Sequence, residues 1–202
     1  MGTVTPFRRR EPPDLQVHAM DDLRYIRATM ERASSVTAVP GWGQVVIGGT
    51  AIVASLIAAR WTSPDMWIAT WAVEAMVAMV LGLTAMAHKA ARTNVPFMNS
   101  AGRRFALSFS LPILVGAVLT VLLYHERLFS AIPGMWLLLY GTAVATGGAF
   151  SVKIVPRMGY CFMVAGVVAL ICPESWADAV MAASFGGLHV VFGLIVARRY
   201  GG

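Results

Sequence analysis

Charge is what this chain of 202 residues has least of: 13% of its residues are Asp, Glu, Lys or Arg, against 57% hydrophobic. Soluble domains carry roughly a quarter charged residues, so a water-soluble globule does not fit this composition. Acid is scarcer than base, with 10 Asp and Glu against 16 Lys and Arg. Cysteine is nearly absent. Cys161 and Cys172 fall on one expected helix, roughly 16 Å apart along its axis, well beyond the ~7 Å Cα separation a disulfide spans. Ser/His/Asp, HExxH and CxxC groupings are all missing. The Gly147-Gly148 and Gly186-Gly187 pairs lie inside apolar runs and not after a strand, so they do not read as phosphate loops. The expectation is a protein that is not an enzyme and holds no cofactor or metal. The excess of base does not point to nucleic acid either. It sits in the gaps between apolar segments, as membrane topology signals do, with no basic groove interleaved with aromatics.

What is abundant is long uncharged sequence. No charge occurs between Arg127 and Lys153, a length that crosses a bilayer as a helix. In that stretch Gly134, Gly141, Ala145 and Gly148 form one stripe of small residues at helical spacing, and Thr142, Thr146 and Ala149 form a second. Small residues let helix backbones approach closely in lipid, and threonine hydroxyls can bond across helices. The spacing predicts a central packing helix with neighbours on two sides. Six spans are expected in residues 41–199: Gly41 to Ala59, Met66 to Ala87, Phe105 to Tyr124 with Pro112 as a kink, Gly134 to Val152, Met158 to Cys172, and Ala179 to Ala197. Lys and Arg gather before the first span, in the second–third and fourth–fifth loops, and in the tail, leaving Arg60 and Arg127 on the other side. By the positive-inside rule both termini are cytoplasmic.

Residues 1–14 are polar, basic and broken by proline, and read as disordered. Arg8 to Arg10 are not followed by the apolar core of a signal peptide, and Pro6 occupies the Ser/Thr position of a myristoylation motif. Residues 15–34 are amphipathic: Leu23, Ile26, Met30 and Ala33 share one face, with Asp22, Arg24, Glu31 and Arg32 largely away from it. Too polar to span, Leu15 to Ala33 is expected at the cytoplasmic surface, against lipid or a protein partner.

VLGLTAMAHK near the end of the second span echoes VFGLIVARR near the end of the sixth. Three tandem helix hairpins would produce this echo, whereas the Pro40-Gly41 and Pro133-Gly134 starts would fit an inverted 3+3 repeat. The run HAMDDLRYIRATMERASSVTAVPGWG, with WLLLYG, TGGAFSVKIVP and FGGLHVVFGLIVARRYGG, resembles a group of small, uncharacterised bacterial six-span membrane proteins over most of the chain. The resemblance implies an all-α bundle in the inner membrane and carries over no functional residues. More loosely, the layout resembles the acid-resistance membrane proteins built from short hairpin repeats.

Two ionisable residues stand inside spans. Glu74 shares a face with Trp67, Trp71, Ala78 and Gly82, and His189 with Ala182, Gly186 and Gly193. Ionisable groups in a membrane are expensive, and function is the default hypothesis for them; the alternative is a hydrogen-bonded clamp. Both lie roughly 12–15 Å below the outer ends of their spans, so they could form an intramembrane polar pair. Gly134, Gly141, Gly148, Gly186 and Gly193 are the expected packing positions. Haem ligation lacks a second mid-span histidine. Met76 with Met79, and Met158 with Cys161, have a spacing suited to soft-metal ligands, but arise readily in a methionine-rich apolar chain. The functional expectation is an accessory, sensor or stress-response component acting through the N-terminal helix. The other reading is a small proton-coupled transporter or channel using Glu74 and His189.

Overall fold

A computed structural model describes residues 20–26, 39–93, 100–149 and 151–200. Contacts divide the chain into Met1–Ser34 and Ser35–Gly202. In the first unit, residues 20–26 form a helical stretch (α1) in which Arg24 meets Asp21 at 3.4 Å, a one-turn pair of the kind that adds only tenths of a kcal/mol. The rest of the amphipathic segment, residues 15–19 and 27–34, lies outside the described residues, as does the N-terminal stretch 1–14.

Among the described residues of the second unit every regular element is helical: α2 (Gly41–Ala58), α3 (Pro64–Thr93), α4 (Ser100–His125), α5 (Ala131–Gly148), α6 (Ile154–Ile171), a 3₁₀ turn (Glu174–Trp176), α7 (Ala177–Met181), a π-helical segment (Ala182–Leu188) and α8 (His189–Tyr200). The last four run on as one C-terminal span. Five helices are long and apolar enough to cross a membrane: Gly41–Ala58, Pro64–Arg92, Gly102–His125, Ile154–Ile171 and Glu174–Tyr200. This is the pattern of a multi-pass membrane protein. The helix not among them is α5, because Pro133, its glycines and its threonines dilute the apolar content of an otherwise uncharged 18-residue helix. It also starts three residues earlier than the Gly134 expected.

Helix ends follow local chemistry. Pro64 opens α3, and Pro156 sits in the first turn of α6, where a missing N–H costs nothing. The fifth span therefore begins before that proline and not after it. At the end of α4, Leu128 N–H bonds Leu123 O at 2.9 Å and Arg127 N–H bonds Tyr124 O at 3.2 Å. Arg127 takes φ 57°, the left-handed position that closes such a C-cap. Pro112 stands inside α4 and so cannot bond the Ser108 carbonyl one turn back. Thr146 of α5 reaches that carbonyl at 3.5 Å, a long bond that gives the orphaned acceptor a partner from the neighbouring helix.

In space the helices follow the order α3, α2, C-terminal span, α6, α5, α4, with α5 against α6 and α2 against the C-terminal span the most extensive pairs. Both are antiparallel glycine seams with seven-residue spacing. Gly48 meets Gly186 and Val190 while Gly193 meets Gly41 and Gln44; Gly141 meets Gly159 and Met163 while Gly134 meets Gly166 and Leu170. Gly148 lies against Val155 and Pro156, and α5 has its second neighbour on α4, where Gly147 lies on Phe105 and Trp136 on Gly116. The threonines behave differently from expectation: Thr142 bonds Leu138 O at 2.9 Å and Thr146 bonds Thr142 O at 2.8 Å, both within α5. A hydroxyl one turn from a carbonyl satisfies itself locally, and among the described residues the weak bond to Ser108 is the one reach of these hydroxyls outside α5.

Candidate functional site

The centre of the bundle is aromatic, with one imidazole in it. His189 is 2% exposed and sits where the π segment gives way to α8. Its backbone N–H bonds Gly186 O, not the Phe185 carbonyl that an unbroken α-helix would supply. The Phe185 carbonyl is met instead by the ring, at 2.8 Å from His189 Nδ1. A carbonyl only accepts, so Nδ1 carries the proton, and Nε2 is free to accept from the Tyr140 hydroxyl at 2.7 Å. Both ring nitrogens are thereby satisfied. Phe162 lies 5.2 Å from the imidazole, and Phe185 stacks on it at 6.2 Å and 15°. Tyr140 in turn touches Phe162 at 4.8 Å and Phe109 of α4 at 5.9 Å, while Trp71 of α3 meets Phe185 at 6.0 Å. Helices α3, α4, α5, α6 and the C-terminal span all contribute a ring.

Glu74 is placed elsewhere. It is 9% exposed and takes the hydroxyl of Thr50 on α2 at 2.8 Å; that hydroxyl also lies 2.9 Å from Ile47 O. Among the described residues no hydrogen bond joins Glu74 to His189: one is bonded across the α2–α3 contact, the other to α5. Of its expected face, Trp67 and Trp71 turn toward the core, and Gly82 faces Ile47 of α2.

A second polar layer, not foreseen from the sequence, lies at the other end. Asp178 Oδ1 accepts from Trp67 Nε1 at 2.7 Å, and Asp178 O accepts from the Ser55 hydroxyl at 3.1 Å. Asp65 accepts from the Tyr124 hydroxyl at 2.7 Å. The available signal was the position of both aspartates in the first turn of a helix.

Among the described residues no three His, Cys, Asp or Glu side chains gather around a common point. Met158 is buried while Cys161 is exposed, and Met76 and Met79 are both exposed, so neither spaced pair converges inside the bundle. No family model, curated protein or solved structure matches the chain.

Proposed function

We propose that this is a six-span, non-enzymatic protein of the bacterial inner membrane with both termini cytoplasmic. In this reading it is an accessory, sensor or stress-response component, of the kind of small six-span protein it resembles, and it meets lipid or a cytoplasmic partner through Leu15 to Ala33. The observation that carries the reading is the state of His189. Both of its nitrogens are committed inside a closed aromatic cluster, so the most buried ionisable side chain serves as an internal tie and has no open partner for a relay. The sixth span is α5: at 1.5 Å per residue its 18 residues extend about 27 Å, close to the ~30 Å hydrocarbon thickness, and its glycines run alongside α6. The two seams support three tandem hairpins, since each joins the second helix of one hairpin to the first of another, α5 to α6 and α8 to α2.

Two experiments test this. Single cysteines introduced at Asp65 and Trp176 are expected to label from outside intact cells, and ones at Asn94 and Met158 to stay protected; labelling of Asn94 overturns the topology. The competing reading, a proton-coupled transporter or channel, has Glu74 in its favour, an acidic group in mid-helix. Proteoliposomes carrying wild type or Glu74→Gln are expected to show the same proton flux as each other and as lipid alone. The amide should also preserve stability within about 1 kcal/mol, because it still accepts from Thr50. Flux that wild type supports and Glu74→Gln abolishes would decide for transport.

A further inference from the structure

The C-terminal span is pinned on both sides of its π segment. On one side Asp178 is held by Trp67 of α3 and Ser55 of α2. On the other, Gly193 lies so close to the backbone of α2, at Gly41 and Val45, that the position has no room for a Cβ. Between these anchors the helix departs from α geometry over Ala182–Leu188, and the Phe185 carbonyl inside the segment is met by the His189 ring. A π turn holds one residue more than the α turn it replaces. Its sequence, AASFGGL, has neither proline nor any other covalent reason to avoid the α register. What holds the wider turn is therefore the set of bonds around it, and the central one is His189 Nδ1–H on Phe185 O.

We propose that Ala182–Leu188 is a two-register joint. In the closed state it is π-helical, with His189 on the Phe185 carbonyl and Asp178 seated on Trp67 and Ser55. In the open state the backbone N–H of His189 takes the Phe185 carbonyl, the segment becomes α-helical, and Ala177–Met181 turns by about one residue, ~100° about the helix axis. Asp178 then leaves Trp67 and Ser55. The seam with α2 fixes α8, so the motion is confined to the end of the span bearing Asp178, and the joint couples that end to the imidazole at the centre of the bundle. Any event that takes Asp178 from its indole, or the imidazole from its carbonyl, shifts the same equilibrium.

The full-length protein with 5-fluorotryptophan, in nanodiscs, reads this directly by ¹⁹F NMR, with Trp67→Phe assigning the Trp67 resonance. In wild type the seated resonance dominates, with an open population of about 0.1–10%. His189→Phe keeps a ring of similar size and removes the donor, and is expected to raise the unseated Trp67 signal at least about tenfold. Deleting Ala183, which is exposed within the π segment, removes the extra residue. In the His189→Phe background it is expected to return Trp67 to its seated position. A purely structural histidine would give no such rescue. A seated Trp67 in His189→Phe, or no return on the deletion, overturns the proposal. If His189→Phe does not fold, the deletion alone decides: a folded protein with Trp67 seated supports two accessible registers, and loss of fold or an unseated Trp67 sinks them.

Discussion

Gly159→Val is expected to abolish the folded protein. A Cβ at this position would stand 2.5 Å from the backbone nitrogen of Ala145 and 2.6 Å from the carbonyl oxygen of Gly141. Neither is the tip of a flexible side chain; both belong to the backbone of α5. To admit valine, α5 and α6 must separate along their whole length, and the contacts made by Gly134, Gly141 and Gly166 go with them. Overpacking in a core that can shift costs about 1–3 kcal/mol. Here the obstacle is backbone, and lipid supplies no hydrophobic drive to hold the helices together once close packing fails. A loss of more than about 4 kcal/mol is therefore expected. The comparison is Gly49→Val on α2, where a Cβ meets nothing within 4 Å and a change of no more than about 0.5 kcal/mol is expected. Thermal unfolding in detergent, with the monodisperse fraction from size exclusion, separates the two. Equal stability of Gly159→Val and Gly49→Val would remove the seam from this account.

His189→Ala is the second large effect, and its size tells packing from hydrogen bonding. The substitution empties a fully enclosed ring site among Tyr140, Phe162 and Phe185, and truncating a buried ring typically costs about 3–5 kcal/mol. It also strands the Tyr140 hydroxyl, but an interhelical hydrogen bond in a membrane averages only about 0.6 kcal/mol and reaches about 1.7. Packing should dominate. The expected order of destabilisation is His189→Ala well beyond Tyr140→Phe, with Tyr140→Phe adding little in the His189→Ala background because the bond is already gone. Denaturation of the three variants in one detergent checks it. A Tyr140→Phe loss as large as that of His189→Ala would assign the stability to the bond and not to the rings.

Much of the architecture was legible because helical period and absence of charge are local properties. Gly134, Gly141 and Gly148 marked the packing face of α5 from spacing alone, and Pro112 marked a place where a neighbour had to assist. What the sequence could not carry was partnership. A glycine stripe states that a helix will come close without stating which one, so the matching of Gly48 with Gly186 and of Gly141 with Gly159 emerged only from the structure. Depth along a span was similarly readable and azimuth was not. Glu74 and His189 were expected to be able to pair from depth, yet they take Thr50 and Tyr140. The π segment left no trace in AASFGGL, since a one-residue widening is decided by anchors above and below it. Asp178 is a further case, since its indole partner lies on another helix, 111 positions away.

The α2–α8 seam has a consequence for how the protein is made. Its two halves are the earliest and latest of the membrane helices described here, roughly 140 residues apart. At about 5–20 residues per second of synthesis, α2 waits on the order of ten seconds in the bilayer with Gly41 and Gly48 facing no partner. The α5–α6 pair, joined by a short turn, can close as soon as both have entered. Assembly thus has an order written into it: a central helix pair that closes early, and a final helix whose arrival ties the start of the bundle to its end.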